Sequence, residues 1–202
     1  MEPFKKVTSV VAALNRVNVD TDQIIPAEHL KRIEKTGFGP FLFESWAKNP
    51  DGTPNPEFEL NSPSFGGAEI LATGRNFGSG SSREHAVWAL RGGGFRAVIA
   101  PSFADIFHKN CFENALVPVI LPQPVVDGIM ARANELTGYT LTVDLETCEV
   151  SDSEGFRVSF VVHHDPATHE FRRHCMLNGL DEIGLTMEHA DAIAAFERGQ
   201  RP

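Results

Sequence analysis

Residues 74–86 read Gly-Arg-Asn-Phe-Gly-Ser-Gly-Ser-Ser-Arg-Glu-His-Ala. Glycines accept positive φ and let a ligand come close to the backbone. A helix predicted from about Ser82 to Leu90 would point its unpaired N–H groups at whatever the loop holds. Those groups, and the helix dipole, favour an anion. Arg83 adds a permanent planar charge that can grip a carboxylate with two parallel N–H donors. Two hydroxyls, a forked cation and a helix start converging on one spot suit a small carboxylic acid. The same residues carry a second reading. Ser81-Ser82-Arg83-Glu84 is Ser-x-x-Glu, the capping-box pattern, so Ser81 could equally be the helix cap. Three other motifs fail on spacing. The glycines miss the dinucleotide fingerprint, no Gly-Lys-Ser/Thr closes a nucleotide loop, and Gly-x-Ser-x-Gly is missed by one position.

The elements that must hold this loop follow from the pattern on either side. Val7–Leu14 is rich in β-branched residues and reads as a buried strand. A polar turn, Asn18-Val19-Asp20-Thr21-Asp22, and the apolar Ile24-Ile25-Pro26 come next; Asp22 is read there as a possible turn former. Residues 34–67 are rich in Gly, Pro, Asn and Phe. They suggest an irregular excursion, placed with the preceding turn at about 28–67, that serves a substrate or an interface. Its run Gly37-Phe38-Gly39-Pro40-Phe41 is expected to expose aromatic rings, as an interface segment would, and residues 28–45 are expected to be mobile in the lone chain and to become ordered on assembly. Ala68–Ala72, Ala97–Ala100 and Val117–Leu121 read as short buried strands. Helices are predicted over Phe103–Asn110 and Val125–Leu136. Tyr139–Asp144, Thr147–Ser151 and Phe156–Val162 suggest an antiparallel meander. A closing helix over Thr186–Arg198 has an apolar stripe of Met187, Ala190, Ile193, Ala194 and Phe196. Strands alternating with helices, then a late antiparallel section, indicate an α/β layered fold in which helices flank a mixed sheet. The chain is expected to form a single domain over 1–202.

Composition narrows the function. With 202 residues and 42% hydrophobic content the chain can bury a real core. A net charge of −9 argues against nucleic acid, because phosphate-backbone affinity needs clustered cations. Lys31-Arg32 and Arg172-Arg173-His174 are too short to reverse that and read as a solvated face or helix end. No run approaches eighteen apolar residues, so no membrane span is expected. The apolar start breaks at Asn15-Arg16 without a small-residue cleavage site, so a cytoplasmic protein is expected rather than a secreted one. Cys111, Cys148 and Cys175 are odd in number and widely spaced, which suits neither a disulfide framework nor an iron–sulfur site held by this chain alone. No metal ligands are assigned.

Gly80-Ser81-Ser82-Arg83-Glu84-His85-Ala86 resembles the signature of the swivelling domain of the aconitase superfamily, a layered β/β/α fold. Asp20-Thr21-Asp22-Gln23-Ile24-Ile25-Pro26 is similar to that domain's second motif. Within the superfamily, the stretch Phe77–Leu90 resembles the separate small subunits of isopropylmalate-type dehydratases. Ile99–Phe107, Asn110-Cys111 and Gly179–Thr186 continue the likeness over nearly the whole chain. The resemblance implies a hydro-lyase that removes water from a 2-hydroxy acid and adds it back at the neighbouring carbon, in leucine biosynthesis. It implies that Ser81 takes the carbon-bound proton, that Ser82 and Arg83 hold substrate carboxylates, and that Asp22 is an active-site acid. Glu84 and His85 rank lower, His85 as a packed structural histidine. His29-Leu30-Lys31-Arg32-Ile33 resembles the family's substrate-selecting loop. Leu30 and Ile33 suit an isopropyl group, while Arg32 would suit an extra carboxylate. The family's [4Fe–4S] cluster is implied to sit on a separate large subunit, with the active site between the two chains. Other implied substrates are citraconate or methylmalate, dimethylmalate and homoaconitate. A non-catalytic anion-binding module is the reading from a different class.

Overall fold

A computed structural model describes residues 1–31 and 34–200. Its frame is a seven-stranded sheet in the order β4-β3-β2-β1-β5-β6-β7. β1 (Lys6–Leu14), β2 (Ile70–Thr73), β3 (Ala97–Ala100) and β4 (Val117–Ile120) run parallel. β5 (Thr140–Asp144), β6 (Glu149–Ser151) and β7 (Arg157–Ser159) add an antiparallel ledge on the far side of β1. β2, β3 and β4 are buried at every position, which is why they read as unbroken apolar runs. β1 serves both halves. Its alternating start, Lys6–Val10, pairs with β5, and its buried end, Val11–Leu14, pairs with β2. Pro118 is tolerated because β4 ends the strand order.

α3 (Glu84–Gly92) links β2 to β3, and α4 (Asp105–Glu113) links β3 to β4. These two helices pack together, while α5 (Gln123–Glu135) packs on β1, β2 and β3. The two short helices of the β1–β2 connection are α1 (Thr21–Ile24) and α2 (Glu44–Ala47). No helix among the described residues is long and apolar enough to cross a membrane.

Two expectations are corrected. The run Gly37-Phe38-Gly39-Pro40-Phe41 does not expose its rings: Phe38 is fully buried and Phe41 is partly buried against the core. Residues 34–67 form a chain of short turns, Gly39–Phe41, α2, Glu59–Asn61 and Pro63–Phe65; a buried phenylalanine immediately precedes each of the first three and ends the fourth. Phe38, Phe43, Phe58 and Phe65 all join the core. Phe38 is fully buried, 5.4 Å from the His85 ring and 5.6 Å from that of Trp88. Gly39 serves close packing: a Cβ there would collide with the carbonyl of Gly92 at the end of α3. The C-terminal region also differs. α6 (Pro166–Asn178) has the start and stop signals of a helix, Asp165 accepting from the Thr168 N–H at 2.8 Å and Gly179 at φ +69°, yet its weak apolar stripe hid it. The single closing helix is instead α7 (Glu182–Met187) and α8 (Ala190–Gln200), and its apolar stripe is largely uncovered.

Candidate active site

The loops after β1 and β2 meet where the parallel strands end, the usual ligand position of an open α/β sheet. Asp20 caps α1. Its carboxylate accepts from the Gln23 N–H at 2.8 Å, and the Gln23 side chain returns the bond to the Asp20 N–H at 3.0 Å. This leaves Asp22, two residues on, with a half-exposed carboxylate that pairs with the Arg83 guanidinium. A ladder of bonds zips the loops together. The N–H groups of Gly78 and Ser79 donate to the Val19 carbonyl at 2.8 and 3.1 Å, and that of Thr21 donates to Ser79 at 2.8 Å. The Asn76 side chain reaches Asn18 at 2.9 Å. Gly78 and Gly80 hold φ of +77° and +89°, and a Cβ at Gly78 would strike the Phe107 ring.

The geometry separates the two readings of Ser81. α3 begins at Glu84, later than expected, with Arg83 in the capping position and no side-chain cap. Glu84 therefore stands in the first helical position rather than the third. Its carboxylate accepts from the Asn114 amide at 2.9 Å instead of reaching back to Ser81. Ser81 is not a cap. Its hydroxyl is exposed and bonds to no group among the described residues. The N–H groups of Ser82, Arg83, Glu84 and His85 likewise meet no acceptor among them. Ser81, whose hydroxyl is unbonded among the described residues, is thus followed in sequence by four N–H groups that meet no acceptor among them and by the Arg83 guanidinium; donors of this kind, where they converge, stabilise negative charge on oxygen.

Asp22, Ser81, Ser82 and Arg83 are therefore brought to one place. Leu30 sits part-exposed on the turn Ala27–Lys31 after α1. Arg32 and Ile33 lie outside the described residues. His85 is packed, its ring 4.6 Å from that of Trp88. Burial lowers its pKa below the ordinary value; Glu84 opposes this and Arg83 adds to it. Sequence reasoning passed over His29, whose ring stacks on Phe41 with centroids 3.9 Å apart and bonds to Glu44. Lys48 bonds the same carboxylate at 2.7 Å. Burial pushes the Glu44 carboxyl up, but the bonds from Lys48 and His29 outweigh it and hold it below its usual value. This clamp fixes the turn that carries Leu30. Glu28, His29 and Glu44 do bring three potential metal-ligand atoms within 4.8 Å of one another, though Lys48 already supplies the countercharge of Glu44. Thr21 was also missed, since a threonine between two aspartates reads as part of a turn.

The cysteines do not fit a [4Fe–4S] cluster. Cys111 is fully buried in α4, and burial raises its thiol well above the ordinary value. Cys148 donates to the Leu145 carbonyl at 3.6 Å, and Cys175 lies in α6. Burial raises both of these thiols too, the opposite of what a thiolate ligand needs. No three potential ligands that include a cysteine converge among the described residues.

The profile of the aconitase C-terminal domain matches residues 1–124, a span that contains both loops of the site. The profile of the C-terminal domain of 3-isopropylmalate dehydratase small subunits matches residues 182–202. The chain is 55% identical over 201 residues to the 3-isopropylmalate dehydratase small subunit of Rhodopirellula baltica, covering 99% of this chain and 100% of that one. The chain belongs to the 3-isopropylmalate dehydratase small-subunit family. Family members from Koribacter versatilis and Brevibacillus brevis are 52% and 51% identical, with 98% of each chain covered in both cases. The fold is also found at lower sequence identity. A crystal structure of 3-isopropylmalate dehydratase from Methanocaldococcus jannaschii matches 95% of this chain and 99% of its own. The TM-score is 0.63 and the identity 22%.

Proposed function

We propose that this chain supplies the proton-handling half of an active site that interconverts 2-isopropylmalate and 3-isopropylmalate by dehydration and rehydration, in leucine biosynthesis. The observation that carries this reading is the start of α3, where, among the described residues, neither the Ser81 hydroxyl nor the N–H groups that follow it meet a partner and Arg83 supplies a cation. A serine is a poor base at neutral pH. It can take a carbon-bound proton only where donors stabilise its alkoxide, and the start of α3 provides such donors. Ser82 and the forked guanidinium of Arg83 hold the substrate carboxylates, with Asp22 aiming Arg83. Leu30, with Arg32 and Ile33, forms the wall that meets the isopropyl group. The [4Fe–4S] cluster that the family resemblance implies has no seat among this chain's cysteines and is assigned to a large subunit. The substrate then binds between the two chains, and the open face around Ser81 fits half a site. A cytoplasmic setting accords with three unpaired thiols.

Replacing Ser81 by Ala and assembling the variant with its large subunit tests the reading. Turnover should fall about 100- to 10,000-fold. The thermal midpoint should barely move, because the hydroxyl caps no helix. Near-normal turnover in the assembled variant would sink the assignment.

A further inference from the structure

Thr21 is a buried polar residue, with 1% of its surface exposed. It grips the glycine–serine loop at two points. Its N–H donates to the Ser79 carbonyl at 2.8 Å, and its hydroxyl donates to the Ser81 carbonyl at 2.9 Å. Between these points stands Gly80, at φ +89°, a residue that offers little resistance to rotation of the neighbouring peptides. A Cβ at Gly80 would approach Asp20 to 3.2 Å, so the loop lies directly on α1.

In a trans peptide the carbonyl and the following N–H point in opposite directions. The Thr21 hydroxyl draws the Ser81 carbonyl inward, and the Ser82 N–H is thereby turned outward. If that peptide flipped, the carbonyl would face outward. An acceptor would then stand where an anion needs a donor, and the buried Thr21 hydroxyl would lose its acceptor. We propose that Thr21 is a positioning residue: its hydroxyl fixes the Ser81–Ser82 peptide with its N–H toward the reacting oxygens. It touches neither substrate nor Ser81 Oγ, and acts only through the backbone of the loop. The proposal rests on the reading of Ser81 as the proton-abstracting base.

Thr21→Val keeps the shape and removes the donor; Thr21→Ser keeps the donor and removes a methyl. Assembled with the large subunit, Thr21→Val should lose about 10- to 100-fold in kcat, the scale of a small misplacement of reacting groups. Its KM should change less than threefold, and Thr21→Ser should return kcat to within threefold of the parent. A purely structural role would lower the thermal midpoint without this split. Ser81→Ala is measured alongside, because it separates the two claims. If Ser81→Ala is inactive and Thr21→Val turns over normally, the positioning role is wrong and the base assignment stands. If Ser81→Ala is active, both fall. In the Ser81→Ala background, Thr21→Val should lower the residual turnover no further, since the two act on one step. An additive loss would overturn the proposal. Should Thr21→Val fail to assemble, Thr21→Ser and Thr21→Cys carry the test, as they differ only in the donor atom. Equal kcat in that pair would overturn the proposal, and a tenfold deficit in the cysteine variant would support it.

Discussion

Arg83 shows how much one side chain's geometry can decide. Its side chain is largely shielded, at 15% exposure, and its guanidinium is paired with Asp22 from another loop. Arg83→Lys keeps the charge but loses the planar fork. In the assembled enzyme it should raise KM by about 10- to 100-fold, the scale of one charge-assisted hydrogen bond. Steady-state kinetics check this, and an unchanged KM would free Arg83 from substrate binding. At this scale the sequence was partly legible. Glycines, hydroxyls and an arginine in one short run signal an anion site because each type has a local physical meaning. Whether Ser81 caps was not legible. That turns on where the helix starts, and Asn114, thirty residues away, captures the Glu84 side chain that a capping box would need. Thr21 was hidden for the same reason, since its acceptor lies 60 residues further along the chain.

Elements were easier to read where their pattern was continuous. The buried parallel strands and the helices between them follow from unbroken apolar runs and glycine stops. The turns of 34–67 did not, because a phenylalanine carried on a three-residue turn has no periodicity to reveal which way it faces. α4 also has a property that its sequence conceals. His108 donates to the Val162 carbonyl at 2.7 Å, linking α4 to the segment after β7. Burial lowers its pKa from 6.5 to about 4, although the Val162 bond and Asp105 oppose the shift; His163 and His164 add to it. The folded state therefore refuses a proton that the unfolded chain accepts. This contribution to stability is complete above about pH 6.5 and disappears as the pH falls to about 4. It amounts to about 3 kcal/mol across that window. Urea midpoints at pH 7 and pH 4.5 should diverge more for the parent than for His108→Gln. Equal pH dependence in both would show that His108 is not the group responsible.

For the whole molecule, stability should be distributed unevenly. Ile183, Met187 and Phe196 stand 74%, 62% and 67% exposed, so α7 and α8 gain little from burial. In the isolated chain their amides should exchange with solvent orders of magnitude faster than those of β1–β4, as mass spectrometry of deuterated peptides can measure. Comparable protection would mean that these helices are held by more than the contacts described. The position of β1 has a consequence in time as well as in space. Val11 registers with Ile70 and Val10 with Thr140, so the central strand of the sheet is paired entirely with distant segments. A nascent chain must carry β1 with both edges unsatisfied until β2, and much later β5, have been synthesised. Such non-local closure makes for slow folding and a long interval of vulnerability to aggregation.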